Sequence, residues 1–289
     1  MFAMLETMVV NNKKVNPGYG FGKAHGGKKC KEVYWGKKGM SKKLTVALFV
    51  LAIGWFAVTA NASPVGTVDI AYSGLNAVDT MTVWGGGHDG ENIYAGEYTV
   101  NKTGGTGQGN LWANGNIGIF CIDLPEWASS NTLSYDVVKL DEGPVTNPLF
   151  GGPMGEQKAD FLSELWGRFY NSSWGDGSYT AQDKNDAEAF AADVWEIVFE
   201  DLPSVSGNAW DVTKDGTAGN LGFRAENLDW SKANSWLSQL DGTGPKADLR
   251  AFTNAGAQDY LVQVPEPATL VLFGLGSLLF VRKNRKAAV

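Results

Sequence analysis

Cysteine and histidine are nearly missing from this sequence of 289 residues, which has two of each. Cys30 lies in a lysine-rich leading stretch, so Cys121 is alone in the body of the chain and no disulfide can form there. His88, in the glycine-rich run 85–90, is the body's only histidine. One Cys and one His cannot build a tetrahedral Cys/His zinc site, and a hydrolytic triad would have to use His88. Basic residues are scarce as well. Of 24 Lys and Arg, ten precede Ser63, four follow Val264 and ten lie between, where 28 of the 31 Asp and Glu are found. The body therefore carries −18 against −7 for the whole chain, a surface that repels nucleic acid and anionic lipid headgroups.

What is present is concentrated at the ends. Ser41-Lys42-Lys43 is a positive region, 44–60 an apolar core and Ala60-Asn61-Ala62 a small-residue cleavage site, together a secretory signal peptide over 40–62 cut between Ala62 and Ser63. Residues 1–39 hold eight lysines, two glutamates and no hydrophobic period, so Met40 is the expected start and 1–39 a non-native or basic leader. At the other end, Val264-Pro265-Glu266-Pro267-Ala268-Thr269 precedes the apolar run 270–281 and Arg282-Lys283-Asn284-Arg285-Lys286. Lipid accepts the apolar side chains while Arg and Lys stay at the cytoplasmic face, which makes this a stop-transfer element with a transmembrane helix. Its uncharged stretch is short beside the roughly 20 residues of a permanent span.

The tail 264–289 resembles the PEP-CTERM sorting signal. That resemblance implies export through the Sec machinery, a transient anchor in the inner membrane, and processing near Pro265, Glu266 and Pro267 by an exosortase, a membrane cysteine protease. It further implies a final place at the cell surface or in the extracellular matrix, with exopolysaccharide as the candidate contact.

The exported body, 63–263, is long enough for one large domain. Segments 67–72, 92–100, 117–122 and 135–140 read as strands, and glycine clusters at 85–90 and 104–109 as turns. The period then becomes helical over 158–170, where Phe161, Leu162, Leu165, Trp166 and Phe169 share a face. A second helix, capped by Asp183 or Asn185, carries one apolar stripe from Ala187 to Val198 and stops before Pro203. A shorter helix over 231–240 and a closing strand over 259–264 follow. This order predicts an α+β domain, a β-sandwich or barrel-like set of antiparallel strands with inserted helices. Among the eleven tryptophans, Trp166 and Trp195 read as core, and Trp84, Trp112, Trp127 and Trp174 as exposed platforms for a sugar.

The segments 118–124 around Cys121 and 189–198 around Trp195 resemble the thioester domain of bacterial surface adhesins. In that family a strand cysteine condenses with a glutamine on a helix, four residues before a tryptophan. Cys121 and Trp195 match, but Ala191 stands at the glutamine position and Asp193 at a position where alanine is usual. Ala191 offers no carboxamide, so the resemblance implies a scaffold without the bond unless Gln157 or Gln182 supplies one, and Cys121 reads as a buried small hydrophobe. Asp123 with Glu126, and Asp193 with Glu196 and Glu200, are candidate glycosidase pairs, yet in so acidic a body they read as solvated surface. The oxygen-rich segment 176–186 misses the spacing of a calcium loop, and Gly105, Gly107 and Gly109 lack the helix and Lys of a phosphate cradle. No cofactor or metal is expected. The expectation is a non-enzymatic exported protein with a binding or structural role, the rivals being a covalent adhesin at Cys121 and a glycan-active enzyme.

Overall fold

The computed structural model describes residues 63–145, 152–202, 210–214 and 222–266, all within one compact unit of the chain. The expected leader over 1–39, the expected signal peptide over 40–62 and the expected transmembrane segment of the tail lie outside the described residues. Among the described residues no helix is long and apolar enough to cross a membrane.

The elements in chain order are β1 (Gly66–Gly85), β2 (His88–Gly107), β3 (Gly115–Cys121), β4 (Leu133–Lys139), β5 (Pro144–Val145), β6 (Gly152–Pro153), α1 (Glu156–Phe169), α2 (Ala181–Phe199), β7 (Phe223–Glu226), α3 (Trp230–Leu237), β8 (Leu249–Asn254) and β9 (Ala257–Gln263). All pairings are antiparallel. The main sheet runs β2-β3-β9-β8-β4-β1-β7, and β1 also pairs β2. Six strands thus form a closed ring, which leaves no bare edge along the barrel, and β7 extends the far half of β1. The α+β expectation and its barrel-like alternative agree with this architecture.

The hairpin β1–β2 is much longer than the segments 67–72 and 92–100 suggest. Its register shifts near Asp69, Tyr72, Leu75 and Val83 break the strict alternation that reveals a strand, because each bulge moves the following side chains to the other face. The turn is Gly86-Gly87, with φ 55 and 97°, the left-handed pair that a two-residue hairpin loop needs. The second glycine cluster is not a simple turn: Gly104 to Gly107 pair with Asp69 to Gly66 inside the ladder, and a 3-10 turn follows at Gln108–Leu111. Gly109 is obligatory there, since a Cβ would lie 1.8 Å from the Thr67 carbonyl oxygen.

Two apolar clusters result. One fills the barrel, with Val68, Val100, Ile119, Val137, Phe252 and Tyr260 at its centre and Trp112 closing it. The other lies between the barrel wall and the helices. There Phe120, pointing outward from β3, meets Phe190, Trp166 and Trp174 at 4.8, 5.5 and 6.1 Å between ring centroids. α2 begins with a capping box in which Thr180 accepts from the Asp183 backbone and Asp183 returns a bond to Thr180, so Thr180, not Asp183 or Asn185, is the cap. From Ala187 to Phe199 every residue of α2 is buried. The single-stripe reading fails because α2 is enclosed by β1 and β2 on one side and by α1, α3 and β7 on the others.

Candidate functional site

Long hairpin, β3–β4 connection and α2 meet around an aromatic cleft of about 360 Å³. β1 and β2 bring Tyr72, Tyr94 and Tyr98, the connection brings Leu124, Glu126 and Trp127, and α2 brings Trp195. Trp127 is 81% and Tyr94 59% exposed, while the Tyr98 hydroxyl is tied to the Tyr94 carbonyl and its ring meets Tyr72 edge-on. The backbone of Trp127 is anchored to the barrel by the Gln258 amide, 3.2 Å from its carbonyl. His88, at the hairpin tip, donates Nε2–H to the Leu124 carbonyl at 3.1 Å and places Nδ1 2.6 Å from Glu91. It therefore pins the hairpin onto the β3–β4 connection, and the hydrogen bond from His88 holds the Glu91 carboxyl below its ordinary range.

Glu126 also borders a second, acidic cleft of about 540 Å³ that holds Asp123, Asp136 and Asp259. Burial pushes Asp259 up to about 8 against a hydrogen bond from the Asn254 amide. Among the described residues no group of three or more His, Cys, Asp or Glu is arranged to hold a metal ion.

The structure brings Cys121 and Trp195 together. Cys121 ends β3, buried, and accepts from the Asp123 amide at 3.3 Å. Burial drives its thiol far above the ordinary value, and the indole of Trp195 acts on it in the opposite sense. Gln157 is exposed on α1 and Gln182 donates to Asp186 at the start of α2, so neither belongs to this cleft. The carboxamides that line the aromatic cleft are those of Asn92 and Gln258.

Several site expectations are corrected. Trp112 and Trp174 are 4% and 1% exposed: Trp112 donates to the Gln263 carbonyl at 2.9 Å, and Trp174 packs on Phe120, Tyr170 and Phe190. Trp84 is half-buried under Arg224, whose guanidinium sits 4.1 Å above the ring. Of the four expected platforms, Trp127 is the exposed one. The expectation of solvated acids fails at three of the five, Glu126 and Glu200 being half-buried. Asp123, Asp193 and Glu196 are buried, and burial followed by Glu196 drives the Asp193 carboxyl well upward. Glu196 accepts from the Asp211 amide at 2.8 Å and Glu200 from the Phe223 amide at 2.6 Å, so both hold neighbouring backbone against α2.

Glu97 escaped the sequence reading. It is buried on β2, accepts from Asn76 at 2.9 Å and from the Tyr170 hydroxyl at 3.1 Å, and burial pushes it up to about 7. It is the lone acid among residues 94–100, and its place in the sequence carries no sign of burial. It floors a polar cleft of about 340 Å³ with Asn116, Ser172 and Asp176.

β9 leads directly into the tail. Val264 donates its amide to the Asp248 carbonyl at 2.8 Å, and Pro265 and Glu266 beyond it are exposed; Pro267 lies outside the described residues. A family model described as the PEP-CTERM protein-sorting motif matches residues 263–286, which include Pro265, Glu266 and Pro267. The chain thus carries a PEP-CTERM motif, which implies export and processing by an exosortase. Comparisons with curated proteins and with solved structures gave no match.

Proposed function

We propose that this chain is an exported protein, sorted by its C-terminal motif to the cell surface or matrix, whose barrel domain binds extracellular polysaccharide without transforming it. The observation that carries the binding role is the cleft mouth formed by Trp127 and Tyr94, the former 81% exposed. An indole left so open to water, on a connection tied to β9 by the Gln258 amide, supplies contact area with little ordering cost. Of the acids that a glycan-active enzyme would need at α2, Glu196 and Glu200 accept from the backbone amides of Asp211 and Phe223, and Asp193 is buried. Deleting 265–289 and fractionating cells tests the sorting half: surface attachment should be lost, and unchanged attachment contradicts it. Incubating the purified protein with the producing cell's exopolysaccharide tests the other half, the expected result being co-sedimentation with no shortening of the polymer.

A second reading, an internal thioester at Cys121, draws support from the Trp195 indole beside the thiol. It is opposed by the absence of a carboxamide on Ala191. Intact mass separates the two readings, because thioester formation expels ammonia and methylamine would restore the mass and add to it.

A further inference from the structure

The aromatic cleft and its acidic neighbour share Glu126, and that continuity narrows the ligand. The aromatic part, about 360 Å³, lies in the ordinary range for small-ligand sites, about 300 to 1,000 Å³. Flat rings at its mouth favour a ligand with flat apolar faces, and Asn92 and Gln258 in its wall can pair with hydroxyls. None of the residues lining either cleft is Lys or Arg. His88, the one basic side chain there, is engaged with Glu91 and the Leu124 carbonyl. A uronic acid or sulfated sugar would meet Glu126 and the carboxyls beyond it with no counter-charge, whereas a cationic sugar would be drawn in by the −18 body.

We propose that this surface binds a partly deacetylated amino-sugar polymer of the cell's own exopolysaccharide, its ring faces stacked on Trp127 and Tyr94 and its ammonium groups turned toward Glu126 and the exposed Asp136. This rests on the binding role above. The stacking contributes affinity for any hexose face; the carboxylates supply the discrimination, since an N-acetylated unit brings no charge to them.

The test measures binding of the full-length chain, purified in detergent, to a glucosamine hexasaccharide, its fully N-acetylated counterpart and hexalysine. The glucosamine oligomer should bind about tenfold tighter than the acetylated one; Trp127→Ala should weaken it by about tenfold, and Glu126→Gln should erase the preference. Trp127 is a surface residue, so its removal leaves the core intact. Chemical N-acetylation of the isolated exopolysaccharide should release the protein. Equal or better binding of the acetylated oligomer overturns the proposal while leaving the general binding role standing. Failure of all oligomers to bind overturns it, as does hexalysine binding that ignores Trp127→Ala, which would indicate a cationic peptide. Shortening of the oligosaccharide instead contradicts the non-catalytic reading.

Discussion

Trp112 donates its indole N–H to the backbone carbonyl of Gln263 at 2.9 Å, and Trp166 donates to the side chain of the same residue at 3.0 Å. One indole comes from the barrel and the other from α1, so the last strand is clamped by both layers just before Pro265. Beyond the clamp, Pro265 and Glu266 are exposed and so open to a processing enzyme. Limited proteolysis of the full chain should trim the C-terminus to about residues 263–266 and stop. Trp112→Ala should cost about 3–5 kcal/mol and let trimming advance into β9; a stop at the same residue would contradict the clamp.

Stability should depend on pH in an unusual direction. Glu97, Glu188 and Asp259 stand at about 7, about 7 and about 8 against ordinary values of 4.5, 4.5 and 3.8, burial being the main cause in each. Between those limits the folded protein keeps protons that the unfolded chain releases. The contribution is therefore complete below the ordinary value and lost as pH rises through 7 to 8. For Glu97 alone it amounts to roughly 3 kcal/mol, an order-of-magnitude figure. Asp211 acts oppositely: burial raises it, but hydrogen bonds from Lys214, Thr213 and Asn234 prevail and hold it at about 2, so its contribution is lost only as pH falls below the ordinary 3.8. The melting temperature should decline from pH 5 to pH 8, and Glu97→Gln should flatten that decline. A melting temperature that rises over the same interval would contradict the buried-acid account.

Gly109→Ala is the sharpest packing test. The new methyl would sit 1.8 Å from the Thr67 carbonyl oxygen, and backbone cannot rotate away as a side chain can. A loss of about 3 kcal/mol is expected in denaturant unfolding, against little change for Gly177→Ala, where the methyl meets open space and the cost is only that of a positive φ.

Cys121 should be inert while the protein is folded. Its thiol is buried and held far above the ordinary range, and the thiolate is the reactive species. Iodoacetamide at pH 8, with modified peptides mapped by mass, should leave Cys121 unlabelled in the native protein and label it in denaturant. Native labelling would contradict the burial.

α1 and α2 were legible because apolar residues recur at helical spacing over many residues, although the cap of α2 is Thr180 and not Asp183 or Asn185. β7 and β8 were missed: Phe223–Glu226 and Leu249–Asn254 are short and carry charged or polar residues that disguise alternation. The exposed aromatic residues at the cleft mouth were legible at Trp127 and not at Tyr94, and Trp174 was misplaced because polar neighbours in sequence do not show that Phe120 and Phe190 surround it in space. Burial of Asp193 and Glu196 was invisible for the same reason. An acid between apolar helix residues looks like a solvent-facing gap unless other elements are known to cover that side.

The central claim is that the chain is exported, sorted and cut at its C-terminal motif, leaving the barrel at the surface. The direct measurement is the intact mass of the protein recovered from the surface fraction of exosortase-proficient cells. The account predicts a species beginning at Ser63 and ending close to Pro267. A surface species that still contains Arg282, Lys283 and the residues after them would contradict it.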